Sequence, residues 1–184
     1  MKDNEIYLGN CVDVLKEIAE DSVDLVYMDP PFFTQRKHSL STRDESKKYE
    51  FDDSWDSIDD YLSMIESCLV ECRRVLKSTG SIFLHCDKAA SHYLRVSLDK
   101  IFGSKYVQSE IIWSYKRWSN SKKGLLNGHQ TIYFYSKTND FKFNPVFKDY
   151  SATTNVDQIL QDRQRAKNGK SAYKKDEDGN IVLG

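Results

Sequence analysis

The stretch VDLVYMDPPFF, Val23 to Phe33, decides the reading of this chain. Val23 to Met28 is an apolar run of strand length, as expected for a buried parallel strand. It stops on Asp29, Pro30, Pro31, Phe32 and Phe33. A chain that needed only to turn would use Gly, Asn or a single Pro. Two prolines fix φ and remove two backbone N–H groups. The result is a stiff corner that presents carbonyl oxygens and a carboxylate, all acceptors, beside two flat apolar rings. In open α/β sheets, ligands gather at the carboxyl ends of the strands. The fitting partner is planar and carries N–H donors, as the exocyclic amine of a nucleobase does. The lone pair of that amine is delocalised into the ring, which makes it a poor nucleophile. Asp29 and the Pro30 carbonyl can accept its two hydrogens and favour a pyramidal nitrogen, while Phe32 stacks on the ring. A base in a duplex reaches such a corner only when it is extruded.

Upstream, Ile6-Tyr7-Leu8 ends at Gly9-Asn10, and Val12, Leu15, Ile18 and Ala19 recur at helical spacing up to Asp21-Ser22. With Val23 to Met28 this reads strand, helix, strand: a crossover unit and a parallel sheet. Downstream, Thr34 to Trp55 is polar without a steady period and reads as a long, functional loop. Ser57 is an N-cap for a helix whose face is Ile58, Tyr61, Leu62, Ile65, Leu69, Cys72 and Leu76, with Gly80 past its end. Ser81 to Cys86 is a second buried strand, and Ala89 to Phe102 an amphipathic helix closed by Gly103. Val107 to Tyr115 and Thr131 to Ser136 are strands that form a hairpin at a sheet edge. Asn155 to Arg165 reads as a short helix, and Asp178-Gly179-Asn180 as a turn. The expected fold is α/β: a doubly wound, Rossmann-like sheet with the DPPF corner at its carboxyl edge, ending in an antiparallel hairpin.

With 184 residues, 39% hydrophobic and 30% charged, the chain has the composition of a globular domain rather than a disordered one. A formal net charge of −1 gives no global bias toward nucleic acid, so any such face comes from local clustering. No apolar run approaches membrane-spanning length, and no leader-like segment opens the chain; the expected location is the cytoplasm. The four cysteines, Cys11, Cys68, Cys72 and Cys86, have no disulfide-framework spacing. Cys68 and Cys72, one turn apart on a helix with His85 and Cys86 a strand away, suggest a zinc site, but both fall on or beside the apolar stripe of that helix and read as core. No Pro-Cys pair is present, which argues against a cysteine nucleophile for carbon-5 cytosine methylation.

The ordered set of segments resembles the β class of the DNA amino-methyltransferases that act on adenine N6 or cytosine N4. DPPF after VDLVYM looks like their catalytic motif. IYLGNCVDVLKEI, LVECRRVLKSTGSIFLHCD, EIIWSYKR and GHQTIYFYSKTNDFKFN are similar to the segments that precede and follow it. The likeness implies that Asp29, Pro30, Pro31 and Phe32 bind and activate the target base. It implies S-adenosylmethionine as methyl donor, contacted by Asn10, Cys11 and Asp29, with direct transfer and no covalent enzyme intermediate. It also implies double-stranded DNA as partner and a place in restriction–modification. The serine that cytosine-N4 members more often carry is an aspartate here, which favours adenine N6. Two departures stand out: Asn10 replaces the usual aspartate, and the family's glycine-rich cofactor motif is missing. In this permuted order that motif would lie beyond Gly184, in a C-terminal half or a complementary subunit. Residues 1–144 then form the catalytic part, and 145–184 begin a target-recognition or linker region. Rival readings are a non-catalytic DNA-binding fragment and methylation of RNA or of a protein glutamine, whose amide nitrogen poses the same lone-pair problem.

Lys116, Arg117, Lys122 and Lys123, beside Trp113, Tyr115 and Trp118, make a basic loop with aromatics, the composition that phosphate contact and base stacking require. Arg36, Lys37, Arg43, Lys47 and Lys48 form a weaker cluster after DPPF. His129 and Lys137 flank the last strand, which in the resembling family borders the target-base pocket. Asp87 either faces the same crevice as Asp29 or caps the following helix.

Overall fold

The computed structural model describes residues 4–44, 46–116, 123–125, 127–147, 163–165, 171–173 and 175–178. The chain divides into two compact units, Met1–Lys142 and Phe143–Gly184.

The first unit is built on a four-stranded sheet. Its strands are β1 (Val23–Met28), β4 (Leu76–Cys86), β5 (Val107–Ser114) and β6 (His129–Ser136), in the order β1-β4-β6-β5. β1 runs parallel to β4, while β4 with β6 and β6 with β5 are antiparallel, so the expected terminal hairpin is present at one edge. The helices α2 (Ile58–Val75) and α3 (Ser91–Leu98) pack on one face of the sheet. Tyr61, Ile65, Leu69 and Cys72 of α2 and Leu94 and Leu98 of α3 meet Ile82, Leu84, Cys86, Tyr133 and Tyr135. Successive strand residues point to opposite faces, which is why alternate positions of β4 and β6 enter this core. Phe83 stacks on Phe134 on the opposite face, at 4.5 Å between ring centres.

Ser57 caps α2 as its position predicts: its Oγ accepts from the Asp60 N–H at 3.1 Å and donates to the Asp60 carboxylate at 2.6 Å. The other end of α2 is held by Lys137. Its Nζ, on a side chain only 15% exposed, donates to the Leu76 carbonyl at 2.6 Å and the Arg74 carbonyl at 3.4 Å and pairs with Asp21 at 2.7 Å. Lys137 therefore sits at the end of β6 remote from the DPPF corner, not beside a base pocket. A cation there complements the helix dipole and satisfies orphan carbonyls. Lys137→Met is expected to cost about 1–2 kcal/mol of stability, read from the midpoint of urea unfolding.

Several expectations are corrected. Ile6-Tyr7-Leu8 is not a strand; Ile6 and Leu8 are fully exposed, and among the described residues β1 pairs only with β4. A three-residue run gains nothing from extended backbone without a neighbour to complete the ladder. Only the short helix α1 (Cys11–Lys16) of that segment forms, capped by Asn10, whose Oδ1 accepts from the Val12 N–H at 2.9 Å. The polar stretch after DPPF is not a bare loop but an antiparallel hairpin, β2 (Lys37–Ser41) with β3 (Lys48–Asp52). The second strand starts early: α2 ends at Val75, and Leu76 and Gly80 both belong to β4. Gly80 serves a close approach, since a Cβ there would lie 3.1 Å from the Val23 carbonyl and 3.0 Å from that of Lys77. The helix expected over Ala89 to Phe102 is α3 followed by a π-helical turn, Asp99–Gly103, and Gly103 ends it at φ +101°.

In the second unit, Arg163–Arg165 forms a strand (β7) antiparallel to Ser171–Tyr173 (β8), not the end of a helix. The rest of the expected helix, from Asn155, lies outside the described residues, as do Gly179 and Asn180 of the expected turn. No helix among the described residues is long and apolar enough to cross a membrane.

Candidate active site

Sheet register assembles the site. Met28 at the end of β1 lies opposite Leu84 of β4, so Asp29 and His85, one residue further on, stand side by side. Asp29 keeps 56% of its side chain exposed and His85 only 6%. His85 Nδ1 lies 3.0 Å from Asp29 Oδ1, but off the line of a hydrogen bond, and Nδ1 has no other partner. His85 Nε2 is 3.0 Å from Gln130 Oε1 on β6. The Phe32 ring meets the imidazole edge to face, 5.2 Å between centres at 84°, and Trp113 of β5 lies at 5.4 Å.

The two phenylalanines of the motif have different fates. Phe33 turns toward the core and packs on Tyr61 at 5.5 Å, which in turn meets Trp55 at 5.2 Å. Phe32 stands between two cavities. One, of about 490 Å³, is lined by Asp29, Pro30, Pro31, Phe32, Thr34, Asp52 and Asp53. The other, of about 330 Å³, has Phe32, Arg36, Asp87, Tyr115, His129 and Gln130 among its walls. All four residues of the motif thus share one cavity at the carboxyl edge of the sheet. Asp87 lines the second cavity rather than the one that Asp29 lines, and it does not cap α3: its Oδ1 accepts from the Ala90 N–H at 3.3 Å, in the turn before the helix.

The hairpin β2–β3 is joined to the corner at its base. The Gln35 N–H donates to the Asp53 carbonyl at 3.1 Å, and the Asp53 N–H to that of Arg36 at 3.0 Å. Gln35 sits in the left-handed region, φ +55°, held by two bonds to the Trp55 backbone, Nε2 to the carbonyl at 3.0 Å and the N–H to Oε1 at 2.8 Å. Asn10 and Cys11 belong to a different neighbourhood from Asp29. Cys11 lines a third cavity of about 310 Å³ with Tyr7, Gly9, Tyr27, Met28, Cys68 and Cys72.

Of the basic hairpin loop, Lys116 and Lys123 are exposed, and His129 opens β6 at the second cavity. Arg117, Trp118 and Lys122 lie outside the described residues. Sequence reading missed the roles of His85, Gln130 and Gln35; a single His in a strand carries no signal until the register is known. Burial pushes the thiols of Cys68, Cys72 and Cys86 up to about 12, and no group of three or more metal-ligating side chains exists among the described residues. Exposed Cys11 is expected to be alkylated in the folded protein, and the other three only after denaturation, by intact-mass measurement after iodoacetamide.

A family model described as DNA methylase, covering N6 and N4 methyltransferases, matches residues 23–182. The chain belongs to this DNA methylase family. It is 31% identical over 170 residues to the type II methyltransferase M.HinfI of Haemophilus influenzae, covering 87% of this chain and 45% of that protein. It is 28% identical over 147 residues to the type II methyltransferase M.BglII of Bacillus subtilis, covering 76% and 37%. The methylase chain thus spans less than half the length of these relatives. Its fold is similar to that of PvuII DNA methyltransferase, described as cytosine-N4-specific, with a TM-score of 0.52, 18% identity and coverage of 73% of this chain and 49% of that one. It is also similar to M1.HpyAVI in its S-adenosylmethionine complex, with a TM-score of 0.50, 12% identity and coverage of 78% and 59%. The fold is thus shared with these methyltransferases over about half of each of their chains.

Proposed function

We propose that this chain carries the catalytic corner of a DNA amino-methyltransferase that methylates adenine N6 in an extruded base. The observation that carries the reading is that Asp29, Pro30, Pro31 and Phe32 line one cavity, with the carboxylate more than half exposed and the ring as a wall. Its volume, and that of its neighbour across Phe32, fall within the range of about 300–1,000 Å³ usual for ligand sites. Asp29 accepts from the target amine, the donor-free Pro-Pro backbone offers no competing N–H, and Phe32 stacks on the base. When bound, S-adenosylmethionine supplies a methyl carbon on a positively charged sulfur, which the amine nitrogen takes with loss of a proton. Asp29 is the carboxylate that the DPPF corner offers to that proton.

The third cavity supports a place for the donor's flat adenosyl part, between the Gly9–Cys11 turn and Tyr27–Met28 of β1. Asn10 spends its oxygen on the helix cap, which leaves its amide nitrogen as a donor. Gly9, Cys11, Tyr27 and Met28 fit one wall of such a site, with Asn10 at the turn beside it. The rest would come from a C-terminal half or a complementary subunit carrying the glycine-rich motif. Its natural seat is the edge of β1, unpaired among the described residues, next to the sheet face on which Leu25 and Tyr27 are more than half exposed. Lys116, Arg117, Trp118, Lys122, Lys123 and His129 would contact double-stranded DNA around the base pocket. Residues 145–184 would begin target recognition, and the enzyme would act in the cytoplasm.

The test is product analysis. The full-length protein is incubated with S-adenosylmethionine and unmethylated DNA, and the nucleosides are separated by mass spectrometry. N6-methyladenosine (the deoxy form) is the expected product. N4-methylcytosine would reassign the target base, and no methylated nucleoside would overturn the reading.

A further inference from the structure

We propose that His85 is the positioning residue of the DPPF corner: its buried imidazole fixes Asp29 through Nδ1 and braces Phe32 with its ring, while Gln130 sets its tautomer. The inference rests on the amine-activation reading for its consequence, though not for its geometry.

A buried imidazole needs partners for both nitrogens. His85 is 5% exposed. One nitrogen has Gln130 at 3.0 Å, and the other has Asp29 Oδ1 at 3.0 Å without the alignment of a completed bond. If Nε2–H donates to the Gln130 oxygen in a neutral ring, Nδ1 is bare and its lone pair faces a carboxylate. Turning the Gln130 amide by half a turn exchanges its oxygen and nitrogen, which have the same shape. Gln130 then donates to Nε2, and Nδ1 carries the hydrogen toward Asp29. A doubly protonated ring gives the same result at Nδ1. Every arrangement that satisfies Gln130, His85 and an ionised Asp29 therefore places an Nδ1–H against the carboxylate. Asp29, 56% exposed and 3.0 Å away, is the carboxylate within reach of that hydrogen.

The same ring touches Phe32 edge to face at 5.2 Å. One side chain thus contacts both the acceptor for the amine and the platform for the base. With Oδ1 held by Nδ1–H, Oδ2 is the oxygen left for the target. Parallel pairing makes this obligatory, since Met28 opposite Leu84 sets Asp29 beside His85.

Two measurements test the assignment on the full-length protein. Ring ¹⁵N spectra without DNA should show Nδ1 of His85 protonated, and Asp29→Asn should shift that resonance. Nδ1 found unprotonated, or indifferent to Asp29→Asn, would overturn the contact. In methyl transfer, His85→Asn keeps a donor near the place of Nδ1, whereas His85→Gln and His85→Phe do not. Misplacement of about 1 Å at a reacting centre can cost about 100-fold. His85→Gln and His85→Phe should therefore lose about 100-fold in kcat, with KM for DNA within about threefold, and His85→Asn should recover about tenfold of that loss. Equal activity of His85→Asn and His85→Gln would overturn the positioning role. If the wild-type protein transfers no methyl group to DNA, the amine-activation reading fails. The ring spectra then still decide whether His85 holds Asp29.

Discussion

Asp29→Ala in the full-length protein should lower methyl transfer by at least about 10³-fold while DNA affinity changes by less than about threefold. The size follows from what the side chain does: a positioned proton acceptor contributes roughly 10²–10⁴-fold, and here it also orients the amine. Folding should lose about 1–3 kcal/mol, because the buried Nδ1 of His85 is left without the carboxylate beside it, too little to unfold the protein. Asp29→Asn retains one acceptor oxygen and should fall between wild type and alanine. Single-turnover kinetics with labelled S-adenosylmethionine, beside a DNA-binding titration, separate the two effects. An alanine variant within tenfold of wild type would remove Asp29 from the chemistry.

The second large effect is a contrast between adjacent rings. Phe32→Ala should weaken capture of the target base by about 1–3 kcal/mol, the usual worth of base–aromatic stacking. It shows as loss of affinity for normal DNA but not for DNA with an abasic target position. Phe33→Ala should instead destabilise the fold by about 2–3 kcal/mol, somewhat less than a fully buried phenylalanine, since Phe33 packs on Tyr61 and only partly leaves solvent. Thermal unfolding of both variants distinguishes them. Equal unfolding midpoints, or Phe32→Ala binding both DNAs as wild type does, would merge or reverse the two roles.

The sequence disclosed what depends on local pattern. α2 was readable because its buried residues recur at three- and four-residue steps behind a serine cap. The DPPF corner was readable as a stiff turn at the carboxyl edge because two prolines and two aromatics close an apolar strand. β5 and β6 were readable from their aromatic and β-branched content. What stayed hidden depends on partners distant in the chain. The β2–β3 hairpin pairs Leu40 with Tyr49, but its other positions are mostly polar, so its alternation is faint. Ile6-Tyr7-Leu8 has a strand's composition and no strand beside it among the described residues. Gly80 looked like a helix stop and is instead a point of contact between two backbones. His85 was legible only as a distant companion of the helix cysteines; the parallel register of β1 and β4 is what sets it beside Asp29.

The clip between Gln35 and Trp55 has an engineering consequence. It ties the two feet of the β2–β3 arm to each other before the arm begins, so what lies beyond them is a separable module. Its tip, closed by the Thr42 N–H to the Lys47 carbonyl at 3.0 Å, is expected to accept replacement without passing strain back to the DPPF turn. Variation among relatives should accumulate there, and grafting a different tip is a direct route to altering what the arm touches while leaving the chemistry in place.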